Sequence, residues 1–268
     1  MRIHGLTVCV NKADHLAVGL RRWIDGLASI TVVTTPDDGI TNAVIEEAIA
    51  FQDGRSADKY CRILKHRTEK FYLDGAAFNK GRAIEEARFS MPWEDWILFF
   101  DCDVIPPVHW MAQLEAMNLE PGFLYGARRF QVTEDGPYHD QGQPQLPHDV
   151  PGVGFFQLFH STDRGALGKW ANGIQDGTTI TPSELEPLID THWTHAGNYD
   201  NRFMNRWRPP LRDRRYIREV PFRLAHLGER DGWFGRGNKE AFDKMQADRR
   251  ARGGVWDHPA EKIAQVTP

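Results

Sequence analysis

Asp101 and Asp103 are separated by one residue and follow directly on Trp96-Ile97-Leu98-Phe99-Phe100. In an extended chain, residues i and i+2 point to the same side. Two carboxylates placed this way form a hard oxygen pair, which suits Mg²⁺ or Mn²⁺. A cation held there would neutralise a diphosphate as it departs. Two solvated aspartates at a polar strand end give the same letters. The unbroken apolar run before them favours the first reading, because it marks a strand buried on both faces.

A regular alternation of strands and helices precedes this pair. Leu6-Thr7-Val8-Cys9-Val10 reads as a buried strand ending at Asn11, and residues 15–27 carry helical apolar spacing. Residues 29–35 read as a second strand, punctuated by Pro36-Asp37-Asp38-Gly39. A helix over 41–51 follows, with Thr41 or Asn42 as its N-cap. Phe78-Asn79-Lys80-Gly81 leads into a helical stretch over 82–88. Strands alternating with helices predict βαβ units, hence an α/β fold with a mostly parallel central sheet flanked by helices. Ligands bind beyond the carboxyl ends of such strands. Asn11, the turn at 34–38 and the Asp101-Cys102-Asp103 triplet should therefore meet at one crevice.

The stretch Ala77-Phe78-Asn79-Lys80-Gly81-Arg82-Ala83-Ile84-Glu85-Glu86-Ala87, followed by Trp96-Ile97-Leu98-Phe99-Phe100-Asp101-Cys102-Asp103-Val104-Ile105-Pro106-Pro107, resembles the donor half of family-two-like glycosyltransferases. The resemblance is nearest the β-1,4-galactosyltransferase and chondroitin-polymerising branch, and it runs through residues 1–110. It implies a single GT-A (Rossmann-like) domain and a nucleotide-sugar donor, with a UDP-sugar favoured. It also implies Mn²⁺, or Mg²⁺, as cofactor. By this resemblance Asp101 sits near the ribose and the metal, Asp103 ligates the metal, Asn79 and Lys80 lie beside the nucleotide, and Asn11 and Asp37 flank its base. A late histidine completes the metal site in the family, which points to His226 in Phe222-Arg223-Leu224-Ala225-His226-Leu227. A histidine on an apolar strand is equally a core residue.

The second half follows the family more loosely. A turn and helix start, His195-Ala196-Gly197-Asn198-Tyr199-Asp200, takes the place of the segment that supplies the base, with Tyr199 where the family has Glu. Inverting transfer needs one carboxylate to deprotonate the acceptor hydroxyl, and Asp200 is the candidate. An acidic residue at a helix start is also favoured by the helix dipole alone. The resulting organisation is a domain over 1–235, with a nucleotide half at 1–130, an acceptor half at 150–235 and a helical tail at 236–268. Residues 131–154 lack periodicity and read as a loop, with the length of a lid.

Other features are double-valued. Arg206, Arg208, Arg212, Arg214, Arg215 and Arg218 make a basic stretch that fits a phosphate clamp or a solvated face. Trp170, Trp193, Trp207 and Trp233 fit sugar stacking or the core. A D-x-D after an apolar strand is also similar to haloacid-dehalogenase-type phosphatases, but Ile105 stands where they have Thr or Val. A GT-A-like nucleotide-sugar or glycan-binding module without catalysis is the third reading.

Composition sets the remaining limits. Of 268 residues, 41% are hydrophobic and 26% charged, with a net charge of −4, as in an ordinary globular chain with no overall pull toward nucleic acid. Three dispersed cysteines predict buried thiols in a reducing compartment rather than disulfides. No apolar run approaches the ~20 residues of a membrane span, and the first residues read as a strand rather than a signal peptide. The expectation is a cytoplasmic protein. The acceptor stays open between glycan, small molecule, protein and modified nucleic acid.

Overall fold

The computed structural model describes residues 1–53, 61–76, 78–133, 136–137, 155–163, 189, 191–192, 203–204, 207, 217–227 and 244. Its elements in order are β1 (Ile3–Val8), α1 (Ala13–Trp23), β2 (Ser29–Thr34), α2 (Gly39–Asp53), β3 (Arg62–Arg67), a 3-10 segment (Lys70–Gly75), α3 (Lys80–Ala87), β4 (Trp96–Asp101), β5 (Val104–Ile105), α4 (Trp110–Ala116), β6 (Leu124–Thr133), β7 (Gly136–Pro137), β8 (Phe156–His160) and β9 (Ile217–Leu227). The strands form one sheet in the order β3-β2-β1-β4-β8-β6-β9-β5, with β7 paired to β6.

The first four strands of that order run parallel, as the βαβ pattern predicts. β8 then enters antiparallel to β4, with Leu98 opposite Leu158. β6 pairs antiparallel to β8 and parallel to β9, and β5 closes antiparallel on β9. The α/β class with helices over the sheet is as expected. The parallel order belongs to the amino-terminal half, while the other half is mixed.

The apolar run of β4 explains itself here. Leu98 and Phe100 enter one core cluster with Trp23, Trp110 and Phe156, under α1, α2 and α4. Ile97 and Phe99 enter a second cluster on the opposite face, with Ile84 of α3, Phe159, Phe203 and Trp207. A strand packed on both faces has no place for a polar side chain until it ends, and it ends at Asp101.

Trp23 locks the first cluster. Its ring lies 4.4 Å from Phe100 and 5.1 Å from Trp110 by centroid, and its indole N–H donates to the Val104 carbonyl at 2.9 Å. The last residue of α1 thereby fixes the backbone just after Asp103.

Several boundaries differ from the sequence reading. β1 begins at Ile3 rather than Leu6. α2 is capped by Asp38, whose Oδ1 accepts the Thr41 N–H at 3.0 Å, and not by Thr41 or Asn42. β3, with four basic residues in six, is an edge strand that among the described residues pairs only with β2, so its alternation is masked by charge. Residues 131–133 continue β6 and 136–137 pair back onto it, so the expected loop starts later; 138–154 lie outside the described residues. The 236–268 tail does too, apart from Lys244. Cys9, Cys61 and Cys102 are buried free thiols, and burial pushes the Cys61 thiol up to about 12. Among the described residues, no helix is long and apolar enough to cross a membrane.

Replacing Trp23 by Ala removes a buried ring and a hydrogen bond together. Unfolding by urea, followed by circular dichroism, should show a loss of about 3–5 kcal/mol. Ile40→Ser, at a side chain 67% exposed, should stay within about 0.5 kcal/mol.

Candidate active site

The carboxyl ends of β1, β2 and β4 meet at one edge of the sheet, and the three polar punctuations converge there. Beyond β1 the Cys9 N–H donates to the Val33 carbonyl at 2.9 Å. Asn11 then adopts a left-handed conformation (φ 55°), and its backbone N–H donates to Asp38 Oδ2 at 2.5 Å. Asp38 is buried and spends its two oxygens on Asn11 and on the first turn of α2. Asp37, the aspartate chosen from sequence, is exposed at the turn. Neighbouring residues on a tight turn face different ways, so the buried carboxylate is one position along.

The turn at Asn11 delivers Lys12 to the centre of the site. Its ammonium donates to Asp103 Oδ2. Asp103 is only 5% exposed. Its backbone carbonyl accepts the Leu227 N–H at 2.7 Å, and β5 pairs Val104 with His226. This pairing brings His226 Nε2 to 3.7 Å from Asp103 Oδ1. Asp103 Oδ1 is buried and has no hydrogen-bond partner among the described residues. Burial alone would raise the Asp103 carboxyl; the Lys12 ammonium beside it outweighs burial and holds the group well below the usual carboxylate range. Burial lowers the His226 imidazole to about 4, and Arg129 and Lys12 push the same way against Asp103. The ring is therefore neutral at physiological pH, the form that ligates metals.

Asp101 is partly exposed at the tip of β4, and its Oδ1 accepts from Lys80, the first residue of α3. Its backbone N–H donates to the Phe155 carbonyl at 3.3 Å. The guanidinium of Arg129 lies 4.6 Å over the Phe155 ring. Asn79 caps α3: Oδ1 accepts the Arg82 N–H at 2.9 Å, and Nδ2 donates to the Thr191 carbonyl at 2.9 Å. Arg82 Nε donates to the same carbonyl at 3.2 Å, and the Ile189 N–H donates to Glu85 Oε2 at 3.2 Å. Ile189 and Thr191 are thus tied to α3.

Of the expected metal set, Asp103 and His226 face each other, while Asp101 faces Lys80. Among the described residues no three His, Cys, Asp or Glu side chains cluster as a complete metal site. The pair nonetheless suits a divalent cation: a buried carboxylate oxygen without a hydrogen bond stands opposite a neutral imidazole. Lys12, Asp38 and Arg129 are site residues that the sequence reading passed over. Lys12 carried a signal, as the first charged residue past the end of a buried strand.

Asp200 and Tyr199 lie outside the described residues, as do Trp170, Trp193 and Trp233 and the arginines from 206 to 215. Trp207 is a core residue, 5.0 Å from Phe203 and 5.4 Å from Phe159. Arg218 is structural, bonded to Glu120 at 2.9 Å and stacked 3.5 Å over Phe123.

No protein-family model matches the chain, and no curated protein matches it. Among solved structures it is similar to residues 1–349 of S. aureus TarS, with a TM-score of 0.49 and 10% identity over 85% of this chain and 60% of that one. The mannosyltransferase PcManGT from Pyrobaculum calidifontis, in complex with GDP-Man and Mn²⁺, gives a TM-score of 0.48 and 10% identity over 98% of this chain and 67% of that one. Glucosyl-3-phosphoglycerate synthase from Mycobacterium tuberculosis, in complex with Mn²⁺, UDP and glucosyl-3-phosphoglycerate, gives 0.42 and 14% over 95% and 80%. The chain spans 60% of the TarS fragment's length. At these identities no residue correspondence follows.

The double use of the Asn79 side chain separates capping from ligand contact. Asn79→Ala should cost about 1–2 kcal/mol in urea unfolding. Asn79→Asp keeps the cap acceptor and loses the donor to Thr191, so it should fall between Ala and wild type. If Asn79→Asp matched wild type in stability yet weakened UDP or GDP binding, the side chain would be a nucleotide contact instead.

Proposed function

We propose that the chain is a metal-dependent, inverting glycosyltransferase that takes its sugar from a nucleotide-sugar donor, a UDP-sugar by preference. The observation that carries this reading is the pair Asp101 and Asp103 at the carboxyl end of a strand buried on both faces, with Asp103 Oδ1 turned toward a neutral His226. The resemblance of residues 77–107 to the donor half of family-two-like glycosyltransferases supports it.

In this reading Asp103 and His226 would hold a divalent cation, and Asp101 would support the metal and the ribose. The cation would supply positive charge to the diphosphate as the bond to the anomeric carbon breaks. The chain's own groups do the rest. Lys80 holds Asp101 in place. Lys12 holds Asp103 ionised inside the protein. Asn11 and the turn carrying Asp37 border the place of the base. Asp200 takes the proton from the acceptor hydroxyl as that oxygen attacks. A single displacement of this kind inverts the anomeric centre. The acceptor half is where the acceptor's identity is decided, and glycan, small molecule, protein and modified nucleic acid all fit the chemistry.

A panel of nucleotide sugars, assayed for nucleotide release with Mn²⁺, with Mg²⁺ and with EDTA, tests the proposal. Release from one donor should require the metal, and Asp103→Ala should lower it ~10²-fold or more. Phosphate-monoester hydrolysis that depends on Asp101, with no release from any donor, would make the chain a phosphatase. Tight binding of a nucleotide without turnover of any donor, even with candidate acceptors added, would make it a binding module.

A further inference from the structure

The two carboxylates at the end of β4 already have their own cations. Lys80 serves Asp101, and Lys12 serves Asp103. The four side chains are mostly withdrawn from water, from 6% exposed at Asp103 to 26% at Asp101. Two negative and two positive charges leave this cluster neutral, and the facing imidazole adds nothing.

A divalent cation on Asp103 Oδ1 and His226 would bring the cluster to a surplus of two positive charges. Like charges a few ångströms apart in a poorly solvated site repel strongly. A nucleoside diphosphate carries at least two negative charges and removes the surplus. The diphosphate without the cation would meet the two carboxylates, already neutralised, and gain little.

We propose that Lys12 and Lys80 make the cation and the nucleoside diphosphate bind as one unit, each weakly alone and strongly together. This rests on the donor-site reading above and adds a role for two residues. Lys12 is the positioning residue of the pair, and the fold aims it. The left-handed Asn11, held through its N–H by Asp38, turns the chain out of β1 so that the next side chain reaches Asp103. The physical content is a coupling free energy, which must be reciprocal: the nucleotide raises cation affinity by the factor by which the cation raises nucleotide affinity.

Calorimetry reads this without turnover. Mn²⁺, UDP and GDP are titrated singly and in pairs into the wild-type chain, Lys12→Met, Lys80→Met and Asp103→Ala, each checked for folding by its melting transition. In the wild type, Mn²⁺ should bind at least tenfold tighter with UDP or GDP present. Lys12→Met should bind Mn²⁺ alone about tenfold tighter than wild type, and its coupling factor should shrink toward one. Asp103→Ala should lose Mn²⁺. If Lys12→Met does not fold, Lys12→Gln and Lys80→Met carry the same expectation. Equal Mn²⁺ affinity and equal coupling in wild type and the lysine variants would overturn the inference and leave the donor site standing. Absence of any Mn²⁺ or nucleotide binding to the wild type would overturn both.

Discussion

A carboxylate at 5% exposure cannot stay ionised unless the fold brings opposite charge to it. Asp103 is that carboxylate, and much of the described structure arranges its surroundings. The end of β1 turns at Asn11 so that Lys12 reaches it. The last residue of α1 grips the Val104 carbonyl on one side. Leu227 of β9 grips the Asp103 carbonyl itself, which registers His226 opposite Val104. Three contacts, from the turn after β1, the end of α1 and β9, therefore converge on the chain at Asp103 and Val104. None of them forms part of a continuous motif.

Two helix starts tie this edge together. Asp38 caps α2 and at the same time anchors Asn11; Asn79 caps α3 and at the same time anchors Thr191. Each cap joins a helix amino terminus to a connecting segment, so the loops above the parallel strands are tied to the layer beneath them. A site that distinguishes a charged transition state from its ground state needs this fixity, because its electrostatic groups must not reorganise as charge moves. The helix starts also lie where their dipoles favour an anion.

The amino-terminal half was largely legible from sequence because its signals are local. The run Trp96–Phe100 followed by paired acids identified a central strand and its end, and Asn11 and the turn at 34–38 fell at the same edge. What escaped depends on neighbours in space. β3 is charged because it is an edge, and β6 and β9 pair across some ninety residues of chain. Asp38 and Asp37 are adjacent letters, and only the turn decides which is buried. Lys12 matters because Asp103 is near it, 91 residues away. Trp207 fits either a sugar platform or the core in sequence, and the fold packs it against Phe203 and Phe159. The proposed base, Asp200, belongs to a stretch that resembles the family more loosely, and it lies outside the described residues.

We propose that Asp103 and His226 together hold a divalent cation beside a nucleoside diphosphate. Pulsed electron paramagnetic resonance on the protein with Mn²⁺ and UDP tests it most directly, since a nitrogen ligand couples to the manganese spin. A histidine nitrogen coupling should appear in the wild type, disappear in His226→Gln and persist in His15→Gln. Manganese bound with UDP but without any nitrogen coupling, or with a coupling unchanged in His226→Gln, would contradict it.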